Sequence, residues 1–183
     1  MAIMIPEKPR DFDPASQEGL IFDALALLPE DYYVFHSFRI TDTRDGTFRE
    51  SETDFVIFNR TKGVICLEAK AGQVRYENGC WLYGSGIPMH NGGPFNQASA
   101  NKYKLMRYIS DSNMAFVLEK CKFFHAVWFP SVSNDRLKNL TLPSEGDKAL
   151  VLTKEALSNP KEFVDKIYTC LLYTSPSPRD RTR

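Results

Sequence analysis

Two short apolar runs set end to end constrain this chain more than anything else in it: T-D-F-V-I-F at 53–58 and G-V-I-C-L-E-A-K at 63–70, joined through the turn-like N-R-T-K-G of 59–63. Runs rich in β-branched and aromatic residues on either side of a turn read as consecutive strands. Side chains alternate along a strand, so Glu68 and Lys70 share one face with Val64 and Cys66, and Ile65, Leu67 and Ala69 point the other way. Asp54 precedes Glu68 by fourteen residues, and Lys70 follows Glu68 by two. Two carboxylates and a lysine at the ends of adjacent strands can hold a divalent cation and a water beside a phosphate.

The chain has 183 residues, enough for one core and one domain, and its 13 Phe and 8 Tyr give ample material for burial. No apolar stretch has signal-peptide or membrane-span length. Cys66, Cys80, Cys121 and Cys170 are scattered without a CxxC pair, which suits free thiols in a reducing cytoplasm better than a zinc site or a disulfide frame. The net charge is zero, but 170–183 distorts it. Without Arg179, Arg181, Arg183 and Asp180, the 23 basic and 23 acidic residues fall to a net of −2. A mildly acidic domain has no global basic footprint for nucleic acid, so any such contact comes from a local patch or a partner domain.

Along the chain, Asp13-Pro14 predicts an N-cap and first turn, and Ile21, Ala24, Leu25 and Leu28 recur at helical spacing, giving a helix over 14–29. Residues 33–40 read as a strand and 42–50 as a polar loop or hairpin turn. After the motif strands, the Asn78-Gly79 dipeptide between alternating runs predicts a hairpin over 73–84. The Gly/Pro-rich 84–94 is a loop and 95–110 a helix. A buried strand is expected at 123–131, another at 148–154, and a last helix over 154–169 that is interrupted or started near Pro160. Trp81, Trp128 and Tyr103 read as packed residues. His36, His90 and His125 have no ligand spacing. The chain shows no repeat and no G-x-x-x-x-G-K-[ST] phosphate loop.

Phosphodiester hydrolysis requires an activated water, in-line approach and stabilisation of charge on the phosphate and leaving oxygen. Mg²⁺ or Mn²⁺ suits this and binds oxygen. Asp54 and Glu68 are suitable ligands, the backbone carbonyl of Ala69 can add a third oxygen, and Lys70 can orient water or neutralise developing charge. Taken alone, a D-x13-E-x-K pattern is common by chance, since acids and lysines at strand ends are often merely solvated. Glu18 falls on the side of the first helix that carries Ile21, Leu25 and Leu28. Either it is there because a metal or Lys70 pairs with it, or it is a first-turn acid favoured by the helix dipole. Gln97, Asn101 and Lys104 line one face of the 95–110 helix, away from its apolar side. They are either ordinary solvated residues or contacts for a phosphate backbone or base edges.

Several segments together, PASQEGLIFDAL (14–25), DYYVFHSFRI (31–40), ETDFVIFNRTKGVICLEAKAG (52–72), NGCWLY (78–83) and GPFNQASANKYKLMRYI (93–109), resemble the nuclease-related domain (NERD) family, a branch of the PD-(D/E)xK restriction-endonuclease-like superfamily. The resemblance covers about 14–125. It implies an α/β fold with a central mixed sheet flanked by helices, Asp54, Glu68 and Lys70 as the active-site triad, and Mg²⁺ or Mn²⁺ as cofactor. Glu18 matches the family's first-helix acid, Gln97 the glutamine opening the helix after the hairpin, and Glu52 a recurrent position two before Asp54. Thr53 stands where the superfamily's name has proline. The expected function is hydrolysis of DNA, with RNA not excluded; the alternative is a non-catalytic nucleic-acid-binding module that steers an attached helicase.

The N-terminal segments are similar to those of NERD domains placed ahead of a helicase, and CLLYTSPSPRDRTR (170–183) looks like translated sequencing-adapter read-through. The expected organisation is therefore an N-terminal extension (1–13), a nuclease-like domain (14–169) and a non-native disordered tail (170–183), in a fragment of a protein whose helicase module lies in cis.

Overall fold

The structure is a computed structural model and describes residues 1–42 and 49–170. Of the loop expected over 42–50, residues 43–48 lie outside the described residues while Asp42, Arg49 and Glu50 belong to paired strands, and the expected tail beyond Cys170 also lies outside.

Eight strands are described: β1 (Ile3–Ile5), β2 (Tyr32–Asp42), β3 (Arg49–Asn59), β4 (Gly63–Ala69), β5 (Val74–Glu77), β6 (Cys80–Tyr83), β7 (Phe123–Trp128) and β8 (Val151–Leu152). The helices are α1 (Glu18–Ala26), α2 (Pro94–Ser110), α3 (Val117–Lys120), α4 (Asn134–Asn139) and α5 (Pro160–Cys170). Six strands form one mixed sheet in the order β1-β2-β3-β4-β7-β8, and β5 and β6 make a separate hairpin. β2, β3 and β4 are antiparallel neighbours, whereas β1–β2, β4–β7 and β7–β8 are parallel. The fold is α/β with helices on both sides of a mixed central sheet.

Alternation along the central strands divides the core. Ile65 and Leu67 of β4, with Phe55 and Ile57 of β3, pack against Ile21 and Leu25 of α1 and Val164 and Ile167 of α5. Val64 and Cys66, with Val56, pack on the other face against Leu105 of α2. Phe95 and Ala98 of α2 join Trp81 of the hairpin and Val127 and Phe129 in a further cluster. Every residue of β4 is buried, as expected of a central strand covered on both faces. Trp128 is fully buried, and its indole N–H donates to the carbonyl of Thr153 at 3.0 Å, so burying it leaves no orphan donor.

Two glycines are required by close approach. Gly63 opens β4 at φ 124°, and a Cβ there would lie 2.3 Å from the carbonyl oxygen of Lys122. Gly93, at φ 89°, lets the loop before α2 press onto Trp81, whose Cδ1 would lie 2.1 Å from an added Cβ. The Asn78-Gly79 turn has positive φ at both residues (50° and 78°), the conformation that favours this dipeptide between β5 and β6.

Several local expectations change. The helix expected over 14–29 is broken at Gln17 (φ 59°): Asp13 caps a 3-10 turn, Pro14–Ser16, and α1 begins at Glu18 and ends at Ala26. The strand expected over 123–131 ends at Trp128. Residues 148–154 open with a 3-10 turn (Lys148–Leu150) before the two-residue β8, because the Asp147 carboxylate accepts from Ala149 N–H and caps that turn instead. The expected final helix is a separate 3-10 turn (Lys154–Leu157) followed by α5, which starts where Pro160 supplies a preformed first-turn φ. Residues 3–5, left in an extension by the sequence, form the sheet-edge strand β1.

Candidate functional site

The site is built where β3 and β4 part. Their ladder ends at the Phe55–Leu67 pair, while β4 continues alongside β7 through Ala69–Trp128. Ala69 N–H no longer has a ladder partner on β3 and donates instead to Asp54 Oδ2 at 2.7 Å. The Asp54 carboxylate thus takes the place of a backbone acceptor in the mouth of the split. Glu68, only 5% exposed, shares the face of Asp54, and Lys70 Nζ lies 2.6 Å from Glu68 Oε1. Lys70 N–H is anchored to the Trp128 carbonyl at 3.0 Å, which fixes the end of the strand.

Strand β2 closes the other side. Ser37 lies opposite Asp54 in the β2–β3 register, but the ladder passes from His36–Phe55 to Phe38–Thr53 without pairing it. Ser37 has φ 52°, a left-handed conformation that costs a non-glycine residue on the order of 1–3 kcal/mol and persists only where its surroundings enforce it. Its hydroxyl donates to Glu52, which also takes Arg39 Nε at 3.1 Å. The Glu52 carbonyl accepts from Asn101 Nδ2 at 3.0 Å, tying α2 to the strand beside Asp54.

Glu18 reaches the site from the opposite layer, at the first turn of α1. Its hydrogen-bond partner is His36, whose Nε2 lies 3.1 Å from Glu18 Oε2, and the charge of Lys70 also acts on it. His36 is 1% exposed among Phe12, Phe22 and Phe55. Its Nδ1 accepts the backbone N–H of Arg10 at 3.1 Å, so the ring proton sits on Nε2 and is donated to Glu18. His36 and Ser37 are the residues that sequence reasoning missed. The available signal was a histidine on the strand face that carries Tyr32 and Val34, polar where its neighbours are apolar.

Negative charge here is only partly compensated. Burial, followed by the charge of Glu68, raises the Asp54 carboxyl well above its ordinary range, outweighing the Ala69 N–H bond and Lys70. Burial raises Glu68 as well, and Glu18 and Glu52 add to the effect against the pull of Lys70. Burial works against the Lys70 ammonium, but Glu68 and Asp54 more than offset it, so Lys70 is held above its usual value and remains charged. The His36 hydrogen bond holds Glu18 below the usual carboxylate range, even though burial opposes it.

The α2 residues divide. Gln97 Nε2 donates to the His90 carbonyl at 2.8 Å and braces the preceding loop. Asn101 is 7% exposed and spent on Glu52, while Lys104 is exposed, so the three do not form one solvated face. The helix is tilted onto the sheet so that Asn101 points inward with Leu105. Tyr103, expected to pack on the sheet, is 59% exposed beneath Lys102 Nζ (4.4 Å from the ring centre) for the same reason. Trp81 is buried in the core as expected.

A mixed α/β sheet with two acids and a lysine gathered at the carboxyl end of β4, beside its parallel neighbour β7, has the general architecture of sheet proteins that bind ligands at strand carboxyl ends. The chain belongs to the nuclease-related domain family (NERD), whose sequence model matches residues 14–130. No curated protein and no solved structure matches it. Among the described residues, no group of three or more His, Cys, Asp or Glu side chains is placed to hold a metal ion, and no helix is long and apolar enough to cross a membrane.

Proposed function

We propose that this domain is a metal-dependent nuclease that hydrolyses phosphodiester bonds in DNA, with Asp54 and Glu68 as the metal-binding carboxylates and Lys70 as the catalytic cation. The observation that carries this reading is the gathering of Asp54, the buried Glu68 and Lys70 where β3 and β4 part, with both acids raised by their surroundings. Such a pair is short of positive charge, and a hard divalent cation supplies it. Mg²⁺ characteristically uses one or two carboxylates and keeps several waters, which agrees with Asp54 and Glu68 as a two-carboxylate ligand pair. Asp54 has one oxygen on Ala69 N–H and Glu68 has one on Lys70, so each carboxylate keeps an oxygen for the ion. The Ala69 carbonyl is the proposed third ligand. When bound, Mg²⁺ or Mn²⁺ polarises the phosphate and lowers the pKa of water.

The protein's own residues do the rest. Ala69 N–H orients the Asp54 carboxylate. Lys70, held protonated by Glu68, is suited to positioning water and stabilising charge on the phosphate rather than to removing a proton. Glu18, kept ionised by His36, adds a fixed negative charge on the far side of the split. Gln97 and Lys104 are proposed to contact nucleic acid at the rim, with Glu52 as an accessory residue. The attachment to a helicase in cis is supported by the resemblance of the N-terminal segments alone.

The test is incubation of the purified protein with labelled linear, circular and single-stranded DNA, with and without Mn²⁺, alongside Asp54→Ala and Lys70→Ala. Metal-dependent cleavage that both substitutions abolish is the expected result. DNA binding without cleavage, unchanged by either substitution, would favour a non-catalytic binding module.

A further inference from the structure

At the other end of β4 from Lys70 the fold makes a second concave site. A cavity of about 700 Å³ opens beneath the β3–β4 turn, between α3 and the end of α5. Its centre lies beyond Asn59, five residues from Asp54 and so roughly 17 Å along the strand from the acidic cluster. Four of its lining residues are basic: Arg60, Lys62, Lys120 and Lys122. Asp165 is the lone acid among them, and it is already taken by Lys62 and Lys161, at 2.6 Å each, and by the Tyr32 hydroxyl. Arg60, Lys120 and Lys122 are exposed and have no ion pair among the described residues. The wall between these cations is apolar and aromatic, with Phe58, Val117 and Tyr168, and Phe116 stands 58% exposed at the rim.

Three cations on one cavity with no ion pair among the described residues are out of keeping with a chain of zero net charge. Left alone they repel one another; a multiply charged anion relieves that, and a planar apolar group suits the wall and the free ring of Phe116. A bare phosphate would leave the apolar wall unfilled, and a purely apolar ligand would leave the cations unmatched. We infer that this cavity binds a nucleotide unit, with its phosphate against Arg60, Lys120 and Lys122 and its base against Phe116 and Phe58. The unit is either a free nucleoside phosphate or a single nucleotide of a strand. The site is separate from the acidic cluster and needs no metal. It rests on the cavity and its charges, so it stands or falls independently of the nuclease reading.

The experiment is equilibrium binding to the full chain in EDTA with three probes: AMP, a 5′-phosphorylated six-nucleotide oligothymidylate, and inorganic pyrophosphate. AMP or the oligonucleotide should bind more tightly than pyrophosphate, with affinity falling as salt rises. Tighter binding of AMP identifies a free nucleotide as the ligand, and tighter binding of the oligonucleotide identifies a strand. The double variant Arg60→Glu, Lys122→Glu should weaken binding at least tenfold, and Phe116→Ala should weaken it roughly fivefold or more. All are surface or site substitutions whose folding is verified by circular dichroism. No binding of either nucleotide probe at millimolar concentration, binding indifferent to the charge reversal, equal affinity for pyrophosphate, or displacement by polyglutamate as readily as by AMP would overturn the inference.

Discussion

Asp54 Oδ2 receives the backbone N–H of Ala69 at 2.7 Å, across the gap where β3 and β4 stop pairing. A single carboxylate therefore both satisfies a backbone N–H and adds to the negative charge beside Glu68. The two roles can be separated by substitution. Asp54→Asn keeps an oxygen for Ala69 N–H while removing the charge beside Glu68. It should stabilise the metal-free protein by about 1 kcal/mol, as relief of strain at functional sites commonly does. Asp54→Ala strands the N–H and should lose about 1–3 kcal/mol relative to Asp54→Asn. Denaturant unfolding in EDTA measures both.

The same crowding sets a pH dependence. A carboxyl whose folded pKa lies above its unfolded value binds more protons when folded, so stability falls as pH rises from the ordinary carboxylate range up to the raised folded value. Asp54 and Glu68 are both raised, so unfolding midpoints of the metal-free protein should decline over that interval. Asp54→Asn should flatten the decline. Mn²⁺ should reverse it and bind more tightly as pH rises, because it competes with protons for the same oxygens.

His36 is expected to act through Glu18. With His36→Phe the ring volume is retained but the hydrogen bond to the carboxylate is lost, so the Glu18 pKa should move up toward its usual range. NMR titration of the Glu18 carboxyl carbon reads this directly. Cleavage should fall roughly tenfold, within the range expected when a supporting residue no longer orients a metal-site group. The pH profile of the remaining activity should shift upward with Glu18.

Gly63 carries a purely structural prediction. Its φ of 124° and the Lys122 carbonyl oxygen 2.3 Å from an added Cβ leave no room for a side chain. Gly63→Ala should destabilise the domain by at least about 1–3 kcal/mol, the cost of the backbone conformation alone. Thermal unfolding checks it, and Mn²⁺ affinity per folded molecule should be unchanged.

The central architecture was legible because it rests on local pattern. The two apolar runs, their turn and their alternation placed Glu68 and Lys70 on one face, and the structure keeps that face. The Asn78-Gly79 hairpin and the helix over 95–110 were legible for the same reason. What escaped depends on residues far apart in sequence. Periodicity runs smoothly through Gln17, yet the chain turns there, with its side-chain oxygen accepting from Ser131 at 2.6 Å. Glu18 was visible as an acid on an apolar side, but its partner lies eighteen residues away on β2, and only the packing of α1 against β2 brings the two together. Asn101 looked like part of a polar face, and only the docking of α2 against β3 turns it inward. The basic cavity joins residues 58–63 to 116–122 and 165–169, and no linear pattern connects those stretches.

Asp54 and Glu68 are proposed to hold a divalent cation with which this domain cuts DNA. The most direct measurement is the single-turnover cleavage rate of an end-labelled DNA in Mn²⁺ and in EDTA, for the wild-type protein and for Asp54→Asn, which preserves the bond to Ala69. Cleavage by the wild-type protein in Mn²⁺ alone is expected, with a loss of at least about a hundredfold in Asp54→Asn. Equal rates for the two proteins, or cleavage that persists in EDTA, would contradict it.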